Sequence, residues 1–318
     1  MRNETIPIRQ KDGYLINVEC YKSTSPRRGS ILVLHGMAEH YERYDTFANF
    51  LTNHGFDVYL YSHRGHGTHL ADHELGFFAD KNGYQLVVND AVTVLKAIRK
   101  KENSLPLFLM GHSMGSLITR NVIQKYDKLD GVIICGTANP SRITTMGGLF
   151  ISNLSGYRHN PKKRAPLIDK VMFGSSLYKK LNLRTNSDWL CTDESEVDKY
   201  IKDPHCGFVC TKSFYHDLLM LTKHATDKKR ILRTSSDVPI FILSGNQDPV
   251  GGYGKDVARL IHFYRHNGYQ VTSKLYDGLR HELLNEPCKM DIMQDILAFL
   301  NKTLETSKEK RTHVTHKH

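Results

Sequence analysis

The sequence predicts an α/β fold in which a mostly parallel central sheet is flanked by helices and carries one inserted cap. Short apolar runs alternate with longer amphipathic segments along most of the chain, a pattern typical of parallel strands joined by helices. This alternation lapses between about residues 139 and 216. We therefore predict a core at residues 1–138 and 217–304, a cap at 139–216 and a disordered, basic tail at 305–318.

The first elements follow from local patterns. Residues 14–21 alternate apolar and polar side chains, which indicates a half-exposed strand of an antiparallel edge hairpin. Residues 30–34 form an apolar run typical of a buried strand, and residues 44–54 have a helical pattern that Gly55 ends. The next predicted elements are a strand at 56–61 and a long amphipathic helix at 82–101.

The later elements repeat the alternation. We predict buried strands at 105–110, 130–135 and 238–245, a further strand at 269–276, and helices at 116–126, 254–266 and 289–303. Gly268 marks the end of the helix that precedes the last strand.

The strand at 105–110 leads into Gly111-His112-Ser113-Met114-Gly115. In a Gly-X-Ser-X-Gly segment between a strand and a helix, the small glycines allow a tight turn that exposes the serine hydroxyl at the top of the sheet. The sequence therefore predicts that Ser113 is a nucleophile.

A serine nucleophile needs a base and a group that orients the base. Asp248 follows the strand at 238–245, and His281 follows the strand at 269–276. The order Ser113, Asp248, His281 is that of the α/β-hydrolase fold. The loop after the first buried strand begins His35-Gly36-Met37, so the backbone amides of Met37 and Met114 are the predicted oxyanion donors.

Lysine and arginine outnumber acidic residues by 44 to 33, which gives a formal net charge of +11. The basic residues are scattered in short groups, and no nucleic-acid-binding motif accompanies them. We predict no nucleic-acid partner. The cap, however, combines an apolar stretch at 143–154 with a basic stretch at 158–164, which suits an amphiphilic substrate and peripheral contact with an anionic membrane. The alternative is a cap helix that packs on the core.

The six cysteines are far apart, and no secretory leader is evident, so reduced thiols in a cytoplasmic protein are expected. No apolar run reaches the ~20 residues of a membrane helix. The histidines of the loop at 62–69, which His73 follows, have no carboxylate or cysteine within that loop to complete a metal site, and Cys206 and Cys210 lack a second pair. We predict neither a metal nor an organic cofactor.

Six segments together carry a resemblance to a known family. They are His35–His40, Arg64–Gly67, Gly111–Gly115, Asp203–Phe208, Gly245–Gly252 and Arg280–Glu282. On them the chain resembles monoacylglycerol lipases and lysophospholipases, in the serine-hydrolase group that also contains serine aminopeptidases, over nearly its whole length up to the tail.

The resemblance implies hydrolysis of an acyl-lipid ester through an acyl-enzyme, with Ser113 as nucleophile, His281 as base and Asp248 as its orienter. It also implies the Met37 and Met114 amides as the oxyanion hole and no cofactor. The chain has Ser62 where the family usually has aspartate and Ala38 where it often has glycine, and we expect little consequence from the latter.

Four other functions remain open at this stage. An aminopeptidase would need a carboxylate cluster to hold an α-amino group, and Asp193, Glu194, Glu196 and Asp198 in the cap offer one. A general short-chain carboxylesterase and an acyltransferase would use the same catalytic residues. A catalytically inactive binding protein on the same scaffold is disfavoured by the complete set of Ser113, Asp248 and His281.

Overall fold

A computed structural model describes residues 4–102, 105–174, 178–181 and 183–315. Its eight strands are β1 (Glu4–Arg9), β2 (Leu15–Tyr21), β3 (Gly29–Leu34), β4 (Phe56–Leu60), β5 (Leu107–His112), β6 (Gly131–Cys135), β7 (Ile240–Gly245) and β8 (Val271–Tyr276). They form one sheet in the order β1-β2-β4-β3-β5-β6-β7-β8. β1 and β2 pair antiparallel, as does β2 with β4, and all remaining pairs are parallel. The predicted mostly parallel sheet and its antiparallel edge are confirmed.

The α-helices are α1 (Asp45–Asn53), α2 (Gly83–Lys101), α3 (Met114–Val122), α4 (Arg142–Leu154), α5 (Pro166–Phe173), α6 (Glu194–Lys202), α7 (Lys212–Ala225), α8 (Lys228–Ile231), α9 (Lys255–His266) and α10 (Lys289–Thr315). Short 3₁₀ turns lie at Tyr41–Tyr44, Asp72–Glu74, Tyr178–Lys180, Asp188–Leu190 and Leu283–Asn285. Apart from the shifts noted below, the predicted core elements match these within a few residues.

Helices cover both faces of the sheet. Side chains of α2, α3, α7 and α9 pack in one core cluster, which includes Val87, Ile118 and Leu221. Side chains of α1 and α10 pack in a second cluster on the other face, which includes Phe47 and Ile296. The sheet is therefore a middle layer whose central strands are fully buried, which explains why those strands are continuous apolar runs.

The chain between β6 and α7, residues 139–211, contains α4, α5 and α6 and is called here the cap segment. The predicted boundary at residue 216 falls inside α7. That helix belongs to the core, because Asn121 of α3 donates a hydrogen bond to the carbonyl oxygen of Leu221 at 3.0 Å and Arg120 donates one to that of Ala225 at 2.8 Å. α7 begins after the N-cap Thr211, whose hydroxyl accepts the N–H of Phe214, and this local signal of a helix start was overlooked in the prediction.

The last helix also differs from the prediction. We expected it to end near residue 303 and a disordered tail to follow, whereas α10 continues to Thr315. The added residues include Glu305, Lys308 and Glu309 and no glycine or proline, so their intrinsic propensity favours continuation of the helix. Residues 316–318 lie outside the described residues.

Among the residues described, none of the helices combines the length and the apolar composition needed to cross a bilayer.

Candidate active site

Ser113 lies in the turn between β5 and α3, with φ +53° and ψ −119°. This backbone conformation is strained for a residue with a side chain. A Cβ at Gly111 would lie 2.2 Å from the carbonyl oxygen of Gly115, and one at Gly115 would lie 2.1 Å from that of Leu34. The two glycines are therefore required because α3 starts directly against the ends of β3 and β5. The half-buried Ser113 is held at this crossing by its N–H, which donates to the carbonyl oxygen of Cys135 at 3.0 Å.

Asp248 and His281 form a buried pair at the ends of β7 and β8. Nδ1 of His281 lies 2.9 Å from Oδ2 of Asp248, and the two side chains are 2% and 0% exposed. The second carboxylate oxygen accepts the N–H of Val250 at 2.8 Å. A carboxylate that accepts a hydrogen bond from Nδ1–H fixes the tautomer in which Nε2 of the imidazole is unprotonated and free to act as a base.

The ring of His281 packs between two other rings. The His112 ring lies 4.8 Å away and the Trp189 ring 5.1 Å away, measured between centroids. His112 directly precedes Ser113, so the turn that carries the predicted nucleophile and the loop that carries the predicted base meet at this point. Trp189 belongs to the cap segment, which therefore covers His281.

The loop after β3 lies against the serine turn. A Cβ at Gly36 would be 3.2 Å from the Cβ of Ser113, and the Gly36 N–H donates to Oε1 of Glu39 at 2.5 Å. Met37 is half-buried beside this contact, and Met114 is the first residue of α3. Both predicted oxyanion donors thus belong to backbone segments that border Ser113.

Ala38 has a φ of +51°, in the left-handed region. Its N–H donates to Nε2 of His66 at 3.1 Å, and its carbonyl oxygen accepts hydrogen bonds from the Gly207 N–H at 2.9 Å and the Tyr200 hydroxyl at 3.0 Å. These contacts hold the backbone of Ala38 in its strained conformation, with His66 of the core on one side and Gly207 and Tyr200 of the cap segment on the other. We expected little consequence from alanine here, but the positive φ gives alanine a steric cost that glycine does not have.

A buried charge network beside Ser113 was not predicted as part of the site. Arg43 donates to Glu39 at 2.7 Å and to both oxygens of Glu282 at 2.7 and 2.6 Å. Glu39 also accepts a hydrogen bond from the Tyr44 hydroxyl at 3.0 Å and lies 3.4 Å from Nδ1 of His112. The signal available in the sequence was the recurrence of acidic and basic residues in the segments His35–His40 and Arg280–Glu282.

This network changes the ionisation of its members. Burial alone would raise the pKa of Glu39, but the charge of Arg43 and the hydrogen bond with His112 hold it well below its ordinary value. Burial alone would lower the pKa of His112, yet the hydrogen bond to Glu39 and the charge of that carboxylate raise it. Both carboxylates facing Arg43 are thus stabilised as anions.

The histidines of the neighbouring loops are structural hydrogen-bonding groups. Nε2 of His35 accepts the N–H of His63 at 3.0 Å, and Nε2 of His66 accepts that of Ala38. Their other nitrogens face the carbonyl oxygens of Gly36 and Arg64 at 2.7 and 2.9 Å. Burial lowers the pKa of His35 to about 3 and that of His66 to about 4, so both are neutral at physiological pH.

Among the described residues, one group has metal-ligand composition. His40, Asp203 and Cys206 place one potential ligand atom each within 4.8 Å of the others. Nε2 of His40 already lies 2.9 Å from Oδ2 of Asp203. Burial raises the pKa of the Cys206 thiol, and the positive charge of Arg43 offsets part of that rise. The histidine–aspartate pair is thus a hydrogen-bonded contact between the loop after β3 and the cap segment.

The four cap carboxylates are also engaged. Asp193 caps α6 by accepting the N–H of Ser195 at 2.9 Å, and Asp198 lies 2.6 Å from Arg184. Glu194 lies 3.7 Å from Arg184, and Glu196 lies 3.0 Å from Lys199. Each carboxylate therefore already has a helix cap or a cation as its partner.

The sheet order, the serine turn at the end of β5 and the buried histidine–aspartate pair define an α/β-hydrolase. Residues 25–288 match the family described as serine aminopeptidase, S33, and the chain belongs to this family.

Curated relatives extend over most of the chain. It is 25% identical over 287 residues to the monoglyceride lipase homolog of Monkeypox virus, with coverage of 90% of this chain and 94% of the relative. It is 27% identical over 281 residues to the monoglyceride lipase of Mus musculus, with coverage of 86% and 82%. A thermostable carboxyl esterase from Bacillus coagulans, solved with glycerol, superimposes with a TM-score of 0.88 at 25% identity and covers 96% of this chain and 99% of its own.

Proposed function

We propose that this chain is a serine hydrolase that cleaves carboxylic esters of acyl lipids, such as a monoacylglycerol or a lysophospholipid. The buried His281–Asp248 pair beside the strained Ser113 turn is the observation that carries the proposal. The relatives named as monoglyceride lipases support lipid-ester hydrolysis at the level of the family.

In the proposed reaction, Nε2 of His281 accepts the hydroxyl proton of Ser113 as Oγ attacks the ester carbonyl carbon. The amides of Met37 and Met114 stabilise the negative charge on the carbonyl oxygen. The bond to the alcohol oxygen then breaks, and the alcohol leaves with the proton from His281. Water, deprotonated by His281, attacks the acyl-enzyme, and the fatty acid leaves as the proton returns to Ser113.

Three alternatives within the same acyl-transfer chemistry are distinguished by their substrates. The engaged state of Asp193, Glu194, Glu196 and Asp198 argues against an aminopeptidase site built from them. A short-chain carboxylesterase or an acyltransferase would use the same Ser113, His281 and Asp248.

The test measures fatty-acid release from a monoacylglycerol and from a lysophospholipid with the same acyl chain, using Ser113→Ala as the blank. Serine-dependent release from either long-chain lipid supports the proposal. Cleavage of short soluble esters only would favour the carboxylesterase. Labelling of the wild type, but not Ser113→Ala, by a fluorophosphonate is expected in every case, and its absence would overturn the assignment of Ser113.

The proposal includes peripheral contact with an anionic membrane surface through the cap segment. One face of α4 packs toward α7 through buried residues such as Leu149. The opposite face of α4 exposes Ile143, Met146, Phe150, Ile151 and Leu154, and α5, in the same cap segment, exposes Leu167 and Val171. The same part of the chain, residues 142–171, also exposes the basic side chains of Arg142, Arg158, Lys162, Lys163 and Lys170. An apolar face in a segment that also exposes cations suits an anionic interface.

Flotation with vesicles of anionic and of zwitterionic lipid tests this contact. We expect Phe150→Ser combined with Leu154→Ser to reduce binding to both, and the replacement of Arg158, Lys162 and Lys163 by glutamine to reduce binding to anionic vesicles alone. Arg164 is left unchanged because it donates to the carbonyl oxygens of Leu75 and Val209 at 2.7 and 2.6 Å. Equal binding by all variants would rule out this surface.

A cytoplasmic location completes the proposal. All six cysteines are free thiols and five of them are buried, as suits a reducing compartment.

A further inference from the structure

Three side chains of metal-ligand type meet where the loop after β3 contacts the cap segment. One ring nitrogen of His40, one carboxylate oxygen of Asp203 and Sγ of Cys206 lie within 4.8 Å of one another. His40 and Cys206 are 5% and 8% exposed, whereas the Asp203 side chain is 30% exposed. The imidazole and the thiol are therefore buried, and the group is open to solvent at its carboxylate.

A tight turn of the cap segment brings two of these side chains together. Asp203 follows α6 directly, and its carbonyl oxygen accepts the N–H of Cys206 at 3.0 Å. Pro204 occupies the second position of this turn, where its fixed φ is favoured. Oδ1 of Asp203 accepts the N–H of His205 at 2.8 Å, while Oδ2 faces Nε2 of His40 at 2.9 Å. The turn thus presents a carboxylate and a thiol to one imidazole.

Contacts that need no ion hold the two segments in register. The carbonyl oxygen of Ala38 accepts the N–H of Gly207 at 2.9 Å and the hydroxyl of Tyr200 at 3.0 Å, on the two sides of the turn in sequence. The three donor atoms are therefore placed before any ligand arrives, as a metal site requires. Because 163 residues separate His40 from Asp203, no metal-ligand spacing in the sequence could indicate this group.

The second nitrogen of His40 also has the neighbour that a metal-bound histidine needs. Oε2 of Glu42 lies 3.0 Å from Nδ1 of His40. A histidine that binds a metal through one nitrogen commonly faces a carboxylate with the other, which fixes the tautomer and the orientation of the ring. An ion at Nε2 therefore requires only that the imidazole proton lies at Nδ1, toward Glu42.

The charges of the group favour a divalent cation. A thiolate at Cys206 and a carboxylate at Asp203 carry two negative charges, which one dication neutralises. A neutral set of ligands and ion is less costly to bury than an unpaired charge. The charge of Arg43 favours the thiolate, and Glu39 and Glu282 balance that charge on the other side.

We propose that His40, Asp203 and Cys206 bind one Zn²⁺ ion, which fastens the cap segment to the loop after β3. Nitrogen, oxygen and sulfur donors together match zinc, whereas magnesium and calcium prefer oxygen ligands alone. Around a tetrahedral zinc ion the ligand atoms lie about 3.3–3.6 Å apart, so the His40–Asp203 contact needs to open only slightly.

On coordination the thiol proton passes to solvent, and water takes the fourth position. The ion takes no part in acyl transfer at Ser113, so this inference does not depend on the proposed function.

The first test titrates the untagged, full-length protein with Co²⁺ and Zn²⁺ after dialysis against a chelator. Cobalt bound to a thiolate has a charge-transfer absorption in the near ultraviolet, so this band reports a cysteine ligand. We expect one ion per chain and a cobalt band that Zn²⁺ abolishes by displacement. Cys206→Ser should lose the band and bind Zn²⁺ at least about 100-fold more weakly. Cys288→Ser, at a partly exposed thiol outside the group, should match the wild type.

Two further variants test the other positions. Asp203→Asn keeps an acceptor for His40 but removes a charged ligand, so it should weaken Zn²⁺ binding while the protein still unfolds cooperatively. Glu42→Gln should weaken Zn²⁺ binding by about 10–100-fold without shifting the cobalt band, because it alters the orientation of the imidazole and leaves the thiolate bound.

The second test follows thermal unfolding. An ion that binds only the folded chain stabilises it in proportion to the logarithm of its concentration. Added Zn²⁺ should therefore raise the unfolding midpoint of the wild type and of Cys288→Ser, and leave that of Cys206→Ser unchanged.

The histidines near the end of the sequence, His313, His316 and His318, offer a competing site for zinc. Replacement of all three by asparagine should leave the cobalt band and the shift in midpoint intact. Zinc binding that persists in Cys206→Ser and disappears in the triple variant would overturn the inference. Absence of a thiolate band from folded wild-type protein, or an equal effect of Zn²⁺ on the midpoints of the wild type and Cys206→Ser, would also overturn it.

Discussion

Nε2 of His112 lies 3.2 Å from the carbonyl oxygen of His281, so the residue before Ser113 supports the backbone of the loop that holds the predicted base. A carbonyl only accepts, which makes Nε2 of His112 the donor. The other nitrogen of His112 faces the Tyr44 hydroxyl at 3.2 Å and Glu39. The serine turn, the histidine loop and the loop of Gly36 are thus joined through one imidazole.

Replacement of Asp248 by asparagine tests the role of the buried pair. The amide cannot stabilise an imidazolium and favours the wrong tautomer of His281, so kcat should fall by about 10⁴-fold while the fold is retained. Steady-state ester hydrolysis and thermal unfolding measure the two effects. Asp277→Asn, at an exposed residue of the β8–His281 connection, should remain fully active. Similar activities for the two variants would remove Asp248 from the catalytic set.

The Arg43→Leu variant tests the charge network. It leaves the buried carboxylates of Glu39 and Glu282 without their cation, which should lower the free energy of unfolding by about 3–5 kcal/mol. Urea denaturation of the purified protein measures this change. Arg259→Leu removes an exposed ion pair with Asp256 and should have little effect. A loss for Arg43→Leu no larger than that of this control would mean that the network does not stabilise the fold.

The neutral histidines His35 and His66 predict a loss of stability in acid. Their folded pKa values, about 3 and about 4, lie below the ordinary value of 6.5, so the unfolded chain binds more protons between these limits. The contribution of the two neutral histidines to the free energy of unfolding is complete above pH 6.5 and decreases as the pH falls toward their folded pKa values. Near pH 5 each histidine should lower the free energy of unfolding by about 2 kcal/mol relative to neutral pH.

The variant His66→Gln isolates this effect, because glutamine offers an acceptor and a donor without a titratable group. Its free energy of unfolding should fall less between neutral pH and pH 5 than that of the wild type, by about 2 kcal/mol. Urea titrations at the two pH values measure the difference. Parallel pH dependences of the two proteins would contradict the assignment.

The variant Ala38→Gly should be more stable than the wild type. Relief of the left-handed strain gains about 1–2 kcal/mol, and the greater freedom of glycine in the unfolded chain offsets about 0.5–1 kcal/mol of it. The midpoint of thermal unfolding should therefore rise modestly. A lower midpoint would mean that the methyl group of Ala38 makes packing contacts worth more than the strain.

Gly115→Ala should prevent correct folding of the serine turn, since its methyl group would overlap the carbonyl oxygens of Leu34 and His35. The expected result is loss of fluorophosphonate labelling and of cooperative unfolding. Gly147, in α4, provides the matched control because nothing lies within 4 Å of a Cβ at that position. Gly147→Ala should keep full labelling and gain about 0.5–1 kcal/mol from helix propensity. A labelled, stable Gly115→Ala would refute the proposed steric requirement.

Local sequence patterns were sufficient to predict the sheet, its flanking helices and the positions of Ser113, Asp248 and His281 at the ends of predicted strands. Buried parallel strands are apolar runs, and polar residues that follow such strands meet at one edge of the sheet. The two glycines around Ser113 could also be identified, because the Gly-X-Ser-X-Gly segment between a strand and a helix is a local pattern; the contact of Gly115 with Leu34 that makes it necessary exists only in the fold.

The residues that surround this centre could be identified only from the folded chain. Trp189 and His281, or Arg43 and Glu282, are far apart in sequence, and no local pattern records their pairing. The strain at Ala38 was likewise missed, because it depends on the contacts that hold this loop between the core and the cap segment. Contacts between distant segments are fixed by packing and by the burial of charge, and those forces act only once the chain has folded.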